Sequence, residues 1–266
     1  MIDPTFWWLT PLLLALLIGL ICPTTGALLI TQRRILLANL MAHSVLPGLV
    51  LALAFELDPT VGGLISGLVG ALLAEKLNQY FKRREEPTMN TVLAGFTALG
   101  VLLVPLLQAR VDLETILFGD LLAANNADLI RTSIATAALA ILLLSRYQDL
   151  VFIGIDPDGA IAAKLPVKQI RFLAIVITAL VVISAITAVG IVLVIALLCA
   201  PVLVHIEESS SLRSLMLRSA TTGLLLCGGG MSIAMIADLP PGPLIGVLCL
   251  VLLVVKSAIP LRNPAN

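Results

Sequence analysis

From Phe172 to Ile206 the chain carries no Asp, Glu, Lys or Arg. A stretch that long and that apolar cannot be folded away inside a small water-soluble globule. It exceeds the roughly 20 apolar residues that one helix needs to cross a hydrocarbon core about 30 Å thick. Comparable stretches recur along the whole chain, and the breaks between them predict spans near 7–30, 36–55, 60–77, 90–108, 128–146, 172–188, 190–206, 214–237 and 242–258. Phe172–Ile206 reads equally well as one long broken helix or as two short spans around Thr187 and Gly190. The expected fold is therefore all-α: a polytopic transmembrane helical bundle of eight or nine spans, forming a single domain over 1–266. Of the 266 residues, 59% are hydrophobic and 12% charged, about half the charged share of an ordinary soluble domain. Lipid is the expected solvent. The apolar run at the N-terminus has no basic leader and no small-residue cleavage site, so it is expected to be retained, with Trp7 and Trp8 as interface anchors.

With Lys and Arg balanced by Asp and Glu at a net charge of zero, nucleic acid is excluded as a partner. In a nine-span arrangement Arg33, Arg34, Lys76, Lys82, Arg83, Arg84, Arg146, Lys164, Lys168, Arg171, Arg213, Arg218, Lys256 and Arg262 fall on one side, and only Arg110 and Arg131 on the other. Positive residues stay on the cytoplasmic side, so the N-terminus is expected outside the plasma (inner) membrane and the C-terminus in the cytoplasm. The outer side then holds Asp3, Glu56, Asp58, Asp112, Glu114, Asp120, Asp128 and Asp238, an acidic vestibule able to concentrate cations. Taken singly, each of these is better read as a loop-solvating charge; the one-sidedness is what carries weight.

Chemistry-bearing side chains are few. Both histidines, His43 and His205, lie within apolar runs. His43 follows Asn39 by one helical turn, so the two share a helix face. A polar pair this deep in a span faces protein or a watery path, and imidazole with an amide oxygen suits a transition metal in transit. A plain interhelical hydrogen-bonding role for His43 and Ser44 carries equal weight on physical grounds alone. Pro47 and Gly48 follow, predicting a bend just beyond the pair. His205 lies near Glu207 and Glu208, where solvation at the membrane interface outweighs a role as an exit ligand. The cysteines Cys22, Cys199, Cys227 and Cys249 lack CxxC spacing and read as small packing residues. No phosphate loop, nucleophile elbow, HExxH or dinucleotide fingerprint occurs, so the chain is not expected to be an enzyme.

Two connections are long. The outer one, 110–127, is half-apolar and interrupted by Gly119, as a short helix dipping into the outer face would be. The inner one, 148–170, contains DPDGA, in which Asp156 caps and Pro157 opens a short helix suited to docking a partner below the membrane.

Five segments occur in order: QRRILLANLMAHSVLPGLVLA, LFGDLLAANNADL, IDPDGAIAAKLP, AVGIVLVIALLCAPVLV and DLPPGPLIG. Together they resemble the membrane permease of the manganese, zinc and iron type (ABC-3) of bacterial ABC importers, whose fold is similar to that of vitamin B12 and siderophore permeases. The resemblance implies a homodimeric pore that passes Mn2+ or Zn2+ with no permanently bound cofactor. It also implies two copies of a separate ATPase subunit and a periplasmic or extracellular metal-binding protein. Under it, 156–165 is the segment that couples to the ATPase, through Asp156, Pro157, Asp158, Ala160 and Lys164, and His43 is the intramembrane metal contact, with Asn39 beside it. Three positions depart from the family pattern: Asn39 stands where an aspartate is usual, Lys164 where a glycine is expected, and His205 where a small residue is usual. The competing readings are a permease for a metal chelate, which needs no mid-depth histidine, and a gradient-driven secondary transporter, which predicts internal repeats not visible here.

Overall fold

The computed structural model describes residues 8–81, 84–108 and 117–258, all helical or in short connections, with no strand among them. Trp7, Asp3, Lys82, Arg83, Arg110, Asp112, Glu114 and Arg262, and much of the expected outer dipping helix, lie outside the described residues. Among the described residues, eight helices are long and apolar enough to cross a membrane. In chain order the elements are α1 (Leu9–Thr31), α2 (Ile35–Ala54), α3 (Pro59–Tyr80), α4 (Glu85–Leu106), α5 (Asn126–Ile155), the short α6 (Pro157–Ala162), α7 (Val167–His205), α8 (Leu212–Ala237) and α9 (Pro241–Ala258).

The helix starts are written locally. Asp58 accepts the Thr60 N–H at 2.9 Å ahead of Pro59, the first residue of α3. Asn125 and Asp128 form a reciprocal capping box at the start of α5, and Ser211 caps α8 through the Ser214 N–H. Close packing relies on small residues, as expected where lipid tails remove most of the hydrophobic drive between helices. A Cβ on Gly19 of α1 would lie 2.7 Å from the Gly223 carbonyl oxygen of α8. α1, α2 and α7 form the buried centre, while Leu144, Leu225 and Ile236 point outward, as lipid-facing side chains do.

α7 resolves the ambiguity of the long apolar stretch. Its 39 residues are interrupted at Gly190, whose φ of 80° and ψ of 165° are not helical. α8 runs antiparallel to α1, with Gly228 against Leu16 and Gly223 against Gly19 and Pro23, so Leu212 lies at the same end as Thr31 and Arg34. Val167 also starts at that end, because the preceding Gly154 packs on Gln32. Gly190 instead sits at the opposite end, where it meets Leu117, Phe118 and Gly119, and where Val189 meets Gly242 at the start of α9. The two arms of α7 therefore run in opposite directions, and the continuous helix amounts to two crossings.

The ends of the bundle can be named by their ion pairs. Arg34 and Glu75 meet at one end, at 3.0 Å; Asp58 and Arg131 meet at the other.

Candidate functional site

α2 is buried nearly all round from Leu37 to Val50. Its exceptions are Asn39 and His43, both half-buried and one helical turn apart on one face, where His43 turns toward α4. His43 lies about 12 Å along α2 from Ile35 and opens into a groove of about 620 Å³ walled by Leu93, Ala94, Thr97, Ala98 and Val101 of α4. Thr97 spends its hydroxyl on the Leu93 carbonyl of its own helix, at 2.8 Å. The imidazole is thus the principal free polar group facing an otherwise apolar wall.

α2 continues as a helix through Pro47, so the expected bend does not interrupt it. Pro47 still has a local effect: lacking an N–H, it leaves the carbonyl of His43, four residues earlier, without its usual helical donor. On the other side of α2 the Ser44 carbonyl accepts from Ser66 of α3 at 2.6 Å, and α4 comes close at Gly100, where a Cβ would lie 2.6 Å from that of Leu46. His43 is therefore held in a helix clamped on two sides.

An imidazole nitrogen and an amide oxygen make a two-donor set. Among the described residues no group of three His, Cys, Asp or Glu side chains could hold a metal ion. Such a set can contact a transition metal ion but does not by itself enclose one.

His205 belongs to a different cluster, at the Arg34 end. Its Nε2 lies 2.8 Å from the Thr222 hydroxyl of α8, and its Nδ1 lies 3.9 Å from Glu208. Glu208 in turn binds Lys256 of α9 and approaches Arg218 at 3.9 Å. The hydrogen bond to Lys256 is the main cause holding the Glu208 carboxyl below its ordinary range. The cluster ties three helix ends together. The four cysteines are free, and Cys22, Cys227 and Cys249 are buried.

The segment 156–165 forms a capped, exposed turn of helix. Asp156 accepts the Gly159 N–H at 2.8 Å, Pro157 opens α6, and Asp158 is exposed, while Ala160 is wholly buried and pins the helix to the bundle. Lys164 takes a left-handed φ of 58°, with Leu165 N–H returning to the Ala160 carbonyl at 3.1 Å. This is the backbone conformation for which a glycine is preferred, so the expected glycine has a steric reason and Lys164 occupies its place at a cost. Phe152, Ile155 and Ile161 stand exposed around this turn. Sequence reading passed over this trio, although VFIGI directly before a DPDG cap is an apolar cluster in a loop rich in charge.

The profile of the ABC 3 transport family matches residues 7–260. The chain belongs to this family. As an ABC 3 protein it is a multi-pass membrane permease for metal import. It is similar to the manganese transport system membrane protein MntC of Halalkalibacterium halodurans, 30% identical over 86% of this chain and 78% of that one. The chelated iron transport system membrane protein YfeD of Yersinia pestis is 28% identical over 88% of this chain and 79% of that one. Among solved structures, PsaBC from Streptococcus pneumoniae in complex with Fab superposes with a TM-score of 0.83 at 26% identity, over 96% of this chain and 92% of that one. The all-α polytopic architecture expected from the apolar stretches is thus the architecture of an ABC 3 permease.

Proposed function

We propose that this permease imports manganese or zinc as free divalent ions by ATP-driven alternating access. Two copies form the pore, so that His43 and Asn39 of each face a shared path. Two copies of a separate ATPase subunit dock on 156–165, and a metal-loaded binding protein outside the plasma membrane delivers the ion at the Asp58 end. The Arg34 end is then cytoplasmic, which agrees with the crowding of Lys and Arg there. The whole chain acts as one permease domain.

The observation that carries the reading is the partial exposure of His43 and Asn39 on one face of the otherwise buried Leu37–Val50 stretch of a membrane helix. A polar pair there is costly unless it serves a path. Pairing across a twofold would bring two imidazoles and two amide oxygens together, a neutral N and O set compatible with either ion. Asn39 in place of an aspartate removes a charge that would hold the ion, which favours release. Transport by this scheme requires the ion to bind the two states of the permease differently.

The test is metal uptake in proteoliposomes containing permease, ATPase and binding protein. His43→Ala is expected to lower uptake at least tenfold while ATP hydrolysis without metal persists; undiminished uptake removes His43 from the path. The apolar groove wall and the likeness to a chelated iron permease favour a second reading, import of a chelate. Competition of labelled free ions against chelates separates the two, since a chelate permease would tolerate His43→Ala.

A further inference from the structure

The turn between α1 and α2 lies between the docking segment and the helix that carries His43. α5 has a non-helical residue at Arg146, with φ −130° and ψ 17°, so 147–155 forms an arm distinct from the rest of the helix. Leu150 and Ile153 on this arm are buried against the bundle, whereas Phe152 and Ile155 are exposed on its other side. The side-chain amide of Gln32 donates to the Leu150 carbonyl at 3.2 Å. Gly154 lets the arm approach: a Cβ there would lie 3.1 Å from Cγ of Gln32. From Gln32 the path to α2 is short and stiff. Arg33 is left-handed at φ 57°, and the N–H groups of Arg33 and Arg34 return to the carbonyls of Ile30 and Leu29 at 3.0 and 2.7 Å. Arg34 then grips Glu75 of α3 with two contacts, at 3.0 and 3.2 Å, and both side chains are largely buried.

Glu85 of α4 lies within electrostatic reach of Arg34, Glu75, Arg171 and Glu86, yet among the described residues its Oε1 is buried without a hydrogen-bond partner, as is Oδ1 of Asn78. Buried oxygens left unpaired at a charge cluster mark a place where a second arrangement of the same groups is within reach.

We infer that Gln32 is a positioning residue that transmits movement of the 147–165 arm, through the stiff turn and Arg34, to α2 and so to His43. The inference rests on the reading that an ATPase docks at 156–165. A push on Phe152, Ile155 and α6 would then displace the Leu150 carbonyl, and Gln32 with it, rather than letting the arm slide past the turn.

The experiment uses the full complex in proteoliposomes and measures ions transported per ATP hydrolysed. Gln32→Met keeps the length but cannot donate, and Gln32→Lys keeps a donor. For Gln32→Met the expected result is a fall of roughly fivefold or more in ions per ATP, the size of a modest allosteric coupling. ATPase copurification, hydrolysis rate and apparent Tm should stay at the unsubstituted values, and Gln32→Lys should largely restore the ratio. An unchanged ratio in Gln32→Met overturns the relay. So does a proportional loss of hydrolysis, copurification or Tm, which marks a docking or folding role instead. If the unsubstituted complex shows no ATP-driven uptake, the docking reading itself fails, and the relay falls with it.

Discussion

Replacing Gly190 by alanine tests the reversal on which the layout depends. Gly190 has φ 80° and ψ 165°, a region that side chains essentially exclude at a cost of about 1–3 kcal/mol. The added Cβ would also lie 2.5 Å from the Gly119 nitrogen and 2.6 Å from the Leu117 carbonyl oxygen. These are backbone atoms that cannot swing aside, and overpacking of this kind adds about 1–3 kcal/mol. The sum, about 2–6 kcal/mol, corresponds to a fall in apparent Tm of about 4–24 °C for a chain of this size. The assay is thermal unfolding of purified permease in detergent at one fixed scan rate, because such unfolding is commonly irreversible. Gly246→Ala serves as the control: Gly246 is in the interior of α9 with nothing within 4 Å of an added Cβ. A helical alanine is favoured there by about 1 kcal/mol, so its Tm should hold or rise. A Gly190→Ala protein as stable as the unsubstituted one would refute the claim that this glycine's backbone makes the turn.

Three further outcomes follow from the same geometry. With single cysteines introduced in a background lacking the native four, Asp158→Cys and Ser210→Cys should label from one face of sealed vesicles and Asp120→Cys from the other; labelling of 158 and 210 from opposite faces would make α7 a single crossing. Lys164→Gly relieves the left-handed strain at φ 58° and should stabilise the permease by up to about 1 kcal/mol, read as a small rise in apparent Tm. Desolvation opposes the charge of Asp58, but the Thr60 N–H and Arg131 outweigh it and hold its carboxyl below the ordinary range. Its contribution is therefore present above the ordinary carboxylate value near pH 4 and is lost as pH falls through the lowered folded value, so the Tm gap between the native protein and Asp58→Asn should narrow as pH falls below about 4.

Much of the candidate site was legible in the chain. His43 and Asn39 stand out because a polar pair one turn apart is conspicuous in an apolar run, and DPDGA announces the capped α6 because Asp and Pro act on the nearest turn of backbone. Thr97 and Gln32 were not legible, since each matters only through what lies across from it.

The sequence by itself determined that lipid surrounds this protein, roughly how many times the chain crosses it, where helices start, and which polar groups are buried at a cost. Those properties depend on transfer energies and on contacts within a few residues, which a linear pattern records. Only the tertiary structure decided that the Phe172–Ile206 stretch turns back at Gly190, that His43 looks toward α4 rather than α3, and that Gln32 touches the arm beside α6. Each of those depends on backbones meeting across long sequence separations, where one missing Cβ or one side-chain amide sets the approach, and no local pattern encodes which distant backbone will arrive.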